Sequence, residues 1–327
     1  MTKVLITGIT GFVGSALAQA LAAEGAELFG LVRPSADHSR LEGLPITYLE
    51  GDVTVPQSLA GLFDWVDWVI HAAGMLGRAG VPESAYHQLH VNGTNNVLGE
   101  IEKLDNPPNV LYVSSPGVLG PISGKPADET APLAPSNAYE RSKAAAEMVA
   151  RIYARQGIPI VIVRPEFIYG PGDWHVLGLF QAIQKGRFFT IDHGRATCHP
   201  TYIDDAIDGM LRCLKRGQPG QIYHIAGPEP ISFRLLADTI ATAVGVPAPR
   251  YNLPRWLAMA GATALEIGGG VLKFTPPLSR DGVAFFSEDR RFSWQKAHQS
   301  IGYTPRFDLP TGVQKTVAWY RAQGLLA

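Results

Sequence analysis

Cysteine is almost missing from this chain of 327 residues: Cys198 and Cys213 stand fifteen residues apart, with no CxxC. That spacing excludes a disulfide framework and closely spaced thiolates for zinc, so no metal site is expected and a reducing cytoplasmic setting is the default. Charge of one sign is missing too. The net charge is −1 with no basic run and no long acidic tail, which leaves nothing to hold nucleic-acid phosphates. No apolar run is long enough to span a bilayer: the most apolar stretch, residues 254–272, is interrupted by Arg255 and Glu266, so it reads as a lid, as a membrane-surface helix or simply as a segment completing a core. There is no solenoid-length repeat and no low-complexity tract. The first strand begins at once, so no signal peptide is expected.

What is present is a globule's composition, 46% apolar and 17% charged, in a chain long enough for a substantial core. Residues 3–14 read KVLITGITGFVG, an apolar strand running into Gly8, Gly11 and Gly14 at the mouth of a helix. A second apolar strand follows at Leu28–Val32. A glycine turn inside such a βαβ unit suits a dinucleotide: Gly8 for the tight turn, Gly11 for backbone approach to the pyrophosphate, Gly14 for close helix packing. Thr7, Thr10, Phe12 and Val13 complete that cofactor-binding loop. Further strands are expected at Thr47–Glu50, Trp68–His71, Val110–Ser114 and Ile160–Arg164. Their near-continuous apolar character fits parallel strands covered on both faces. The expectation is an α/β fold, a doubly wound parallel Rossmann sheet in residues 1–170. From Pro171 the pattern loosens around GPGD and FTPPLS (274–279), predicting a smaller substrate-binding lobe over 171–327, with some segments returning to the sheet.

Tyr139 and Lys143 lie four apart on an alanine-rich helix and therefore share a face. A phenol is a weak acid with a pKa of about 10, but an ammonium group and an oxidised nicotinamide ring beside it favour its phenolate. Such a pair can exchange protons with a substrate oxygen. Ser115, after the strand VLYVSS, offers a hydroxyl to the same oxygen.

These features together resemble the extended short-chain dehydrogenase/reductases, the NAD-dependent epimerase/dehydratases. The resemblance rests on TGITGFVG (7–14), GDVT (51–54), HAAG (71–74), YVSS (112–115), YERSK (139–143), RPEFIYGPGD (164–173) and YIDDAIDG (202–209). Residues 272–305 are nearest the 3β-hydroxysteroid dehydrogenase and dihydroflavonol reductase branch. The resemblance implies Tyr139 as acid/base, Lys143 on the nicotinamide ribose and lowering the Tyr pKa, and Ser115 orienting the substrate. It also implies Asp52 and Val53 at the adenine, Ala72 and Ala73 along the adenosine, and Pro165 near the cofactor. NAD users carry an acid after the second strand; here Arg33 and Ser35 follow it, which favours NADP(H) and leaves NAD(H) open.

The departures bear on the substrate. Phe167 stands where sugar-nucleotide members keep an Asn, and Cys198 where they keep a diphosphate-clamping Arg, with Arg195 three residues earlier. Pro116-Gly117 replaces the acid pair of 4,6-dehydratases. His90 takes a family Asn position and reads as a satisfied interface histidine rather than a catalytic one. The expected activity is interconversion of a secondary alcohol and a ketone on an apolar or ring-containing small molecule. A sugar-nucleotide 4-epimerase and a non-catalytic NADPH-binding sensor are the alternatives. Relatives also imply a homodimer through the Tyr139 helix and the helix over 84–104, with alanines 144–146 allowing close packing.

Overall fold

The computed structural model describes residues 1–78, 80–272 and 278–327; for 270–272 it describes the backbone alone, and most of FTPPLS lies outside the described residues. Seven parallel strands form the central sheet: β1 (Lys3–Thr7), β2 (Glu27–Val32), β3 (Ile46–Glu50), β4 (Trp68–His71), β5 (Asn109–Val113), β6 (Ile160–Pro165) and β7 (Ile222–Ile225), in the order β7-β6-β5-β4-β1-β2-β3. The order reverses between β1 and β4. A crevice therefore opens there at the carboxyl ends of the strands, where doubly wound sheets bind ligands.

The apolar runs look continuous, yet alternate residues serve two separate cores, because neighbouring side chains of a strand point to opposite faces. Val4 and Ile6 of β1, Leu111 of β5 and Val161 and Val163 of β6 pack on one side with helices Phe12–Ala23 and Ile203–Arg216. Leu5, Val110, Tyr112, Ile160 and Ile162 pack on the other with helices Gly93–Glu102 and Ala138–Arg155. Each strand needs apolar residues at every position to fill both layers.

Strand β7 has no counterpart among the expected strands. Its sequence IYHI carries His224, which is fully buried, and a histidine disguises a strand whose polar group is satisfied only in three dimensions. Arg164 of β6 donates from Nη1 to His224 Nε2 at 3.1 Å. The guanidinium also grips Glu147 of the Ala138–Arg155 helix through Nε (2.9 Å) and Nη2 (2.7 Å), while Ser114 Oγ donates to the same carboxylate at 2.7 Å. This buried polar knot ties β5, β6, β7 and one helix beneath the carboxyl edge of the sheet.

Beyond residue 170 the chain alternates between sheet and lobe. Helix Ile203–Arg216 and β7 belong to the sheet layers, and Asp205 accepts the Arg306 and Phe307 N–H groups at 3.0 and 2.9 Å, anchoring the C-terminal segment to it. The lobe is built from short strand pairs, Phe189–Ile191 with Tyr251–Leu253 and Thr197–Cys198 with Ile231–Ser232, and from helices including Phe233–Val244, Arg255–Leu272 and Arg280–Ser287. In Arg255–Leu272, Ala258 and Ala262 are buried against Ile191 and Val283, while Trp256 and Ile267 are exposed. Among the described residues no helix is long and apolar enough to cross a membrane.

Of the alanines expected to face a second copy, Ala144 and Ala146 are consumed by the protomer's own cores; Ala145, Met148 and Ile152 are the outward residues of that helix. The helix is packed on the sheet through one face and spends its small residues there.

Candidate active site

One cleft of about 1880 Å³ runs across the carboxyl edge of the sheet and into the lobe. Its volume exceeds the roughly 300–1,000 Å³ of a pocket for one drug-sized ligand. Every residue expected from sequence at the cofactor or the reaction lines it: Thr7, Gly8, Thr10, Gly11, Phe12, Val13, Gly14, Arg33, Ser35, Asp52, Val53, Ala72, Ala73, Ser115, Tyr139, Lys143 and Pro165.

The glycine turn is fixed by backbone geometry. Gly8 has φ +73°, and a side chain there would also press on the Ala72 and Ala73 backbone at 2.8 Å. A Cβ on Gly14 would drive into the Gly8 carbonyl, so the helix approaches the turn closely enough to aim its N-terminal N–H groups into the cleft. The turn is closed by Gly11 N–H donating to the Gly8 carbonyl at 3.0 Å. Gly14→Ala is expected to cost about 1–3 kcal/mol through overpacking, read as a lower thermal midpoint and a smaller stabilisation by added NADPH. Below the turn, Thr7 Oγ1 pairs with His71 Nδ1 at 2.7 Å and accepts the Ala73 N–H at 3.2 Å, and His71 Nε2 reaches Thr94 Oγ1 at 3.1 Å. Burial, aided by Lys143, pushes His71 down to about 3, so it is neutral and structural.

At the adenosine end, Asp52 Oδ1 accepts both the N–H and the hydroxyl of Thr54 at 2.8 Å, which sets the turn after β3. Arg33 is exposed at the end of β2. Arg40, which sequence reasoning did not single out, donates from Nη1 to the Gly172 carbonyl at 2.6 Å and so straps the loop after β2 to the GPGD loop across the cleft.

Tyr139 sits in the first turn of Ala138–Arg155, a helix capped by Asn137, whose Oδ1 accepts the Glu140 N–H at 2.9 Å. Its ring is boxed edge-on by Tyr86 and His90, with centroids at 6.2 and 5.8 Å. Burial pushes the phenol up to about 12, and the neighbour pulling it down is the Ser115 hydroxyl. Ser115 Oγ accepts the Gly117 N–H at 3.2 Å, which leaves the hydroxyl proton free to be donated. Lys143, expected on the nicotinamide ribose and lowering the Tyr139 pKa, donates from Nζ to the Val113 carbonyl at 2.8 Å and lies 5.3 Å from the Tyr112 ring centroid. Burial brings this ammonium down to about 8.

His90 is held at both nitrogens. Nε2 accepts the Met75 N–H at 3.1 Å, so Nδ1 carries the proton and faces Ser142 Oγ at 2.8 Å, which itself donates to the Tyr139 carbonyl at 2.7 Å. Burial pushes His90 down to about 3. It lies on a single π-helical turn, His87–Asn92, whose extra residue per turn aims the imidazole at the Tyr139 helix.

The far wall is apolar, with Phe167, Phe285, Phe286, Leu253, Leu265 and Leu278. Phe167 has φ +27°, a strained value for a side-chain-bearing residue, and its ring packs on Phe285 at 5.5 Å. Cys198 is fully buried and Arg195 is exposed, and neither lines the cleft. Several ionisable residues that sequence reasoning passed over do, Glu166 and Arg290 among them. The first stood inside RPEFIYGPGD and the second inside the C-terminal segment, and neither position carried a spacing signal.

With this geometry in place, the comparison with known proteins is decisive at the level of family. A family model described as NAD dependent epimerase/dehydratase matches residues 4–226. The chain belongs to that family. This member is 28% identical to 2-alkyl-3-oxoalkanoate reductase of Stenotrophomonas maltophilia, over 97% of this chain and 98% of that one. It is 30% identical to UDP-glucuronate 4-epimerase 1 of Arabidopsis thaliana, over 97% of this chain and 76% of that one. The crystal structure of gox2253 superposes with a TM-score of 0.85 at 28% identity, each chain covered completely. The fold is shared with dTDP-glucose 4,6-dehydratase DesIV from Streptomyces venezuelae, solved with NAD, at a TM-score of 0.80, 24% identity and coverage of 98% and 97%. Reductases, epimerases and dehydratases thus share this scaffold, and choosing among them falls to the cleft's own residues.

Proposed function

We propose that this protein is a nicotinamide-dependent ketone reductase/alcohol dehydrogenase acting on an apolar or ring-containing small molecule, with NADP(H) preferred. The observation that carries this reading is that Ser115 and Tyr139 line one cleft that has the glycine turn at one end and an aromatic wall at the other. The residues fit a dinucleotide: glycines clear the backbone for a pyrophosphate, Asp52 and Ala72 flank the adenosine side, and Lys143 is within the same cleft. The bound nicotinamide supplies or accepts the hydride at the carbon of the reacting group.

The chain's own part is the proton. In reduction Tyr139 gives its hydroxyl proton to the carbonyl oxygen as negative charge develops there, and Ser115 donates a hydrogen bond to the same oxygen. Lys143 positions the ribose and helps return a proton to the phenolate. His90 serves as a neutral strut that fixes the Tyr139 helix. Residues 1–170 would carry the cofactor and the lobe the substrate, and the exposed Met148 and Ile152 stripe supports association of two copies through that helix.

The test is steady consumption of NADPH with cyclic or aryl ketones. Substrate isomerisation with no net consumption, on tightly retained cofactor, would replace this reading by the epimerase one. Cofactor choice is checked separately. Losing a charge-assisted contact to a 2′-phosphate costs about 1.5–3 kcal/mol, so Arg33→Ala is expected to raise the KM for NADPH by roughly 10- to 100-fold with little change for NADH.

A further inference from the structure

Near Ser115 and Tyr139 the cleft holds a small charged cluster that the proton chemistry above does not use. Glu166 follows the end of β6, beside β5, which leads to Ser115; the register Val113 to Val163 sets the two strand ends side by side. Glu140 packs against the Ser115–Gly117 turn, so that a Cβ on Gly117 would lie 3.2 Å from its side chain. Arg290 reaches Glu140 Oε1 from Nη2 at 2.8 Å, and Ser136 supplies its N–H and hydroxyl to Oε2 at 2.8 and 2.7 Å. Glu140 is thereby fully engaged. Glu166 is only 6% exposed and lines the cleft, yet its carboxyl makes no hydrogen bond among the described residues. Arg290, 5% exposed and lining the same wall, keeps a buried Nε with no partner among them.

We propose that Glu166 and Arg290 form a second polar anchor, and that the substrate carries a neutral oxygen, a hydroxyl or second keto group, close to its reacting carbonyl on an otherwise apolar body. This rests on the reductase reading and names the substrate class of the same site. A buried polar side chain without a partner costs stability, and a leucine there would fill an aromatic wall at no such penalty. A carboxyl that lines the cavity with no hydrogen bond among the described residues, on the same wall as Arg290, leaves a polar anchor open to a ligand. Charge bears on the ligand's form: Arg290 is already paired with Glu140, so beside Glu166 it is not a free cation for a substrate carboxylate. Burial also pushes Glu166 up to about 8, with Arg290 pulling down and Glu140 pushing up. At neutral pH it holds its proton and can donate it to a neutral oxygen.

The experiment compares NADPH-dependent reduction of propiophenone and of its α-hydroxy derivative by the wild type, Glu166→Gln and Glu166→Leu. The wild type is expected to favour the hydroxyketone. In Glu166→Leu the ratio of the two kcat/KM values falls about 10- to 100-fold, the size of a lost buried hydrogen bond; Glu166→Gln restores most of it. An unchanged ratio in Glu166→Leu overturns the anchor, as does a ratio in Glu166→Gln as low as in Glu166→Leu. Calorimetric binding of phenylpropanol and the matching vicinal diol with NADPH present, a pair with no hydride acceptor, reads the same ratio without turnover. A wild type that consumes no NADPH with either ketone therefore counts against the reductase reading, while the diol-to-alcohol affinity ratio still decides on Glu166.

Discussion

Tyr139→Phe is expected to lower kcat for ketone reduction by about 10²–10⁴-fold, the usual contribution of a positioned general acid, while NADPH affinity stays within twofold. The ring itself is retained, so the packing on Tyr86 and His90 survives and only the hydroxyl is lost. The phenol sits near 12 because it is buried, which suits an acid that must hold its proton until the carbonyl oxygen gains charge and surrender it only then. Single-turnover kinetics with pre-bound NADPH read the chemical step, and fluorescence titration reads the cofactor. A variant that still turns over at close to the wild-type rate would remove Tyr139 from the mechanism.

Arg164→Leu is expected to destabilise the protein by about 3 kcal/mol, the lower end of the cost of breaking a buried ion pair, because Glu147 loses its buried partner and keeps only Arg151 and Ser114. Glu147 and Arg164 are both 0% exposed. Burial pushes Glu147 up, and Arg164, Ser114 and Arg151 together more than offset that, so its carboxyl lies below its ordinary 4.5. A depressed carboxylate contributes stability above pH 4.5 that is lost on acidification. In Arg164→Leu only Arg151 and Ser114 are left to oppose burial, so the carboxyl rises from its wild-type position and the stability lost on acidification becomes smaller. Chemical denaturation across pH 4 to 8 (roughly the span over which such a carboxyl changes charge) tests both sign and size. The double variant Glu147→Leu/Arg164→Leu recovers most of the loss, since no charge is left buried.

The six strands read from apolar runs appear within a residue or two of where the pattern places them, because a parallel strand covered on both faces has no freedom to be polar. The seventh escaped for the converse reason. Tyr223 and His224 look like an exposed segment, and only the Arg164 guanidinium, sixty residues away in sequence, makes a buried histidine there acceptable. The placing of Ser115, Tyr139 and Lys143 on the cleft was legible because Tyr139 and Lys143 share a helix face and Ser115 ends a strand, both consequences of local periodicity. Lys143's attachment to the Val113 carbonyl was not, since it depends on how closely that helix sits over β5.

Local rules of the polypeptide were thus enough for the sheet, for the glycine turn with its positive φ at Gly8, and for bringing Ser115, Tyr139 and Lys143 to the cleft, since each depends on neighbours within a few positions. Packing between distant segments decided the rest. It buried Cys198 and left Arg195 outside the cleft, brought Arg290 to Glu140 across 150 residues, and left Glu166 without a partner on an aromatic wall. The physical reason is range: backbone conformation and side-chain periodicity act over one or two turns, whereas the pairing of a buried charge is set by whichever part of the chain the fold carries to it.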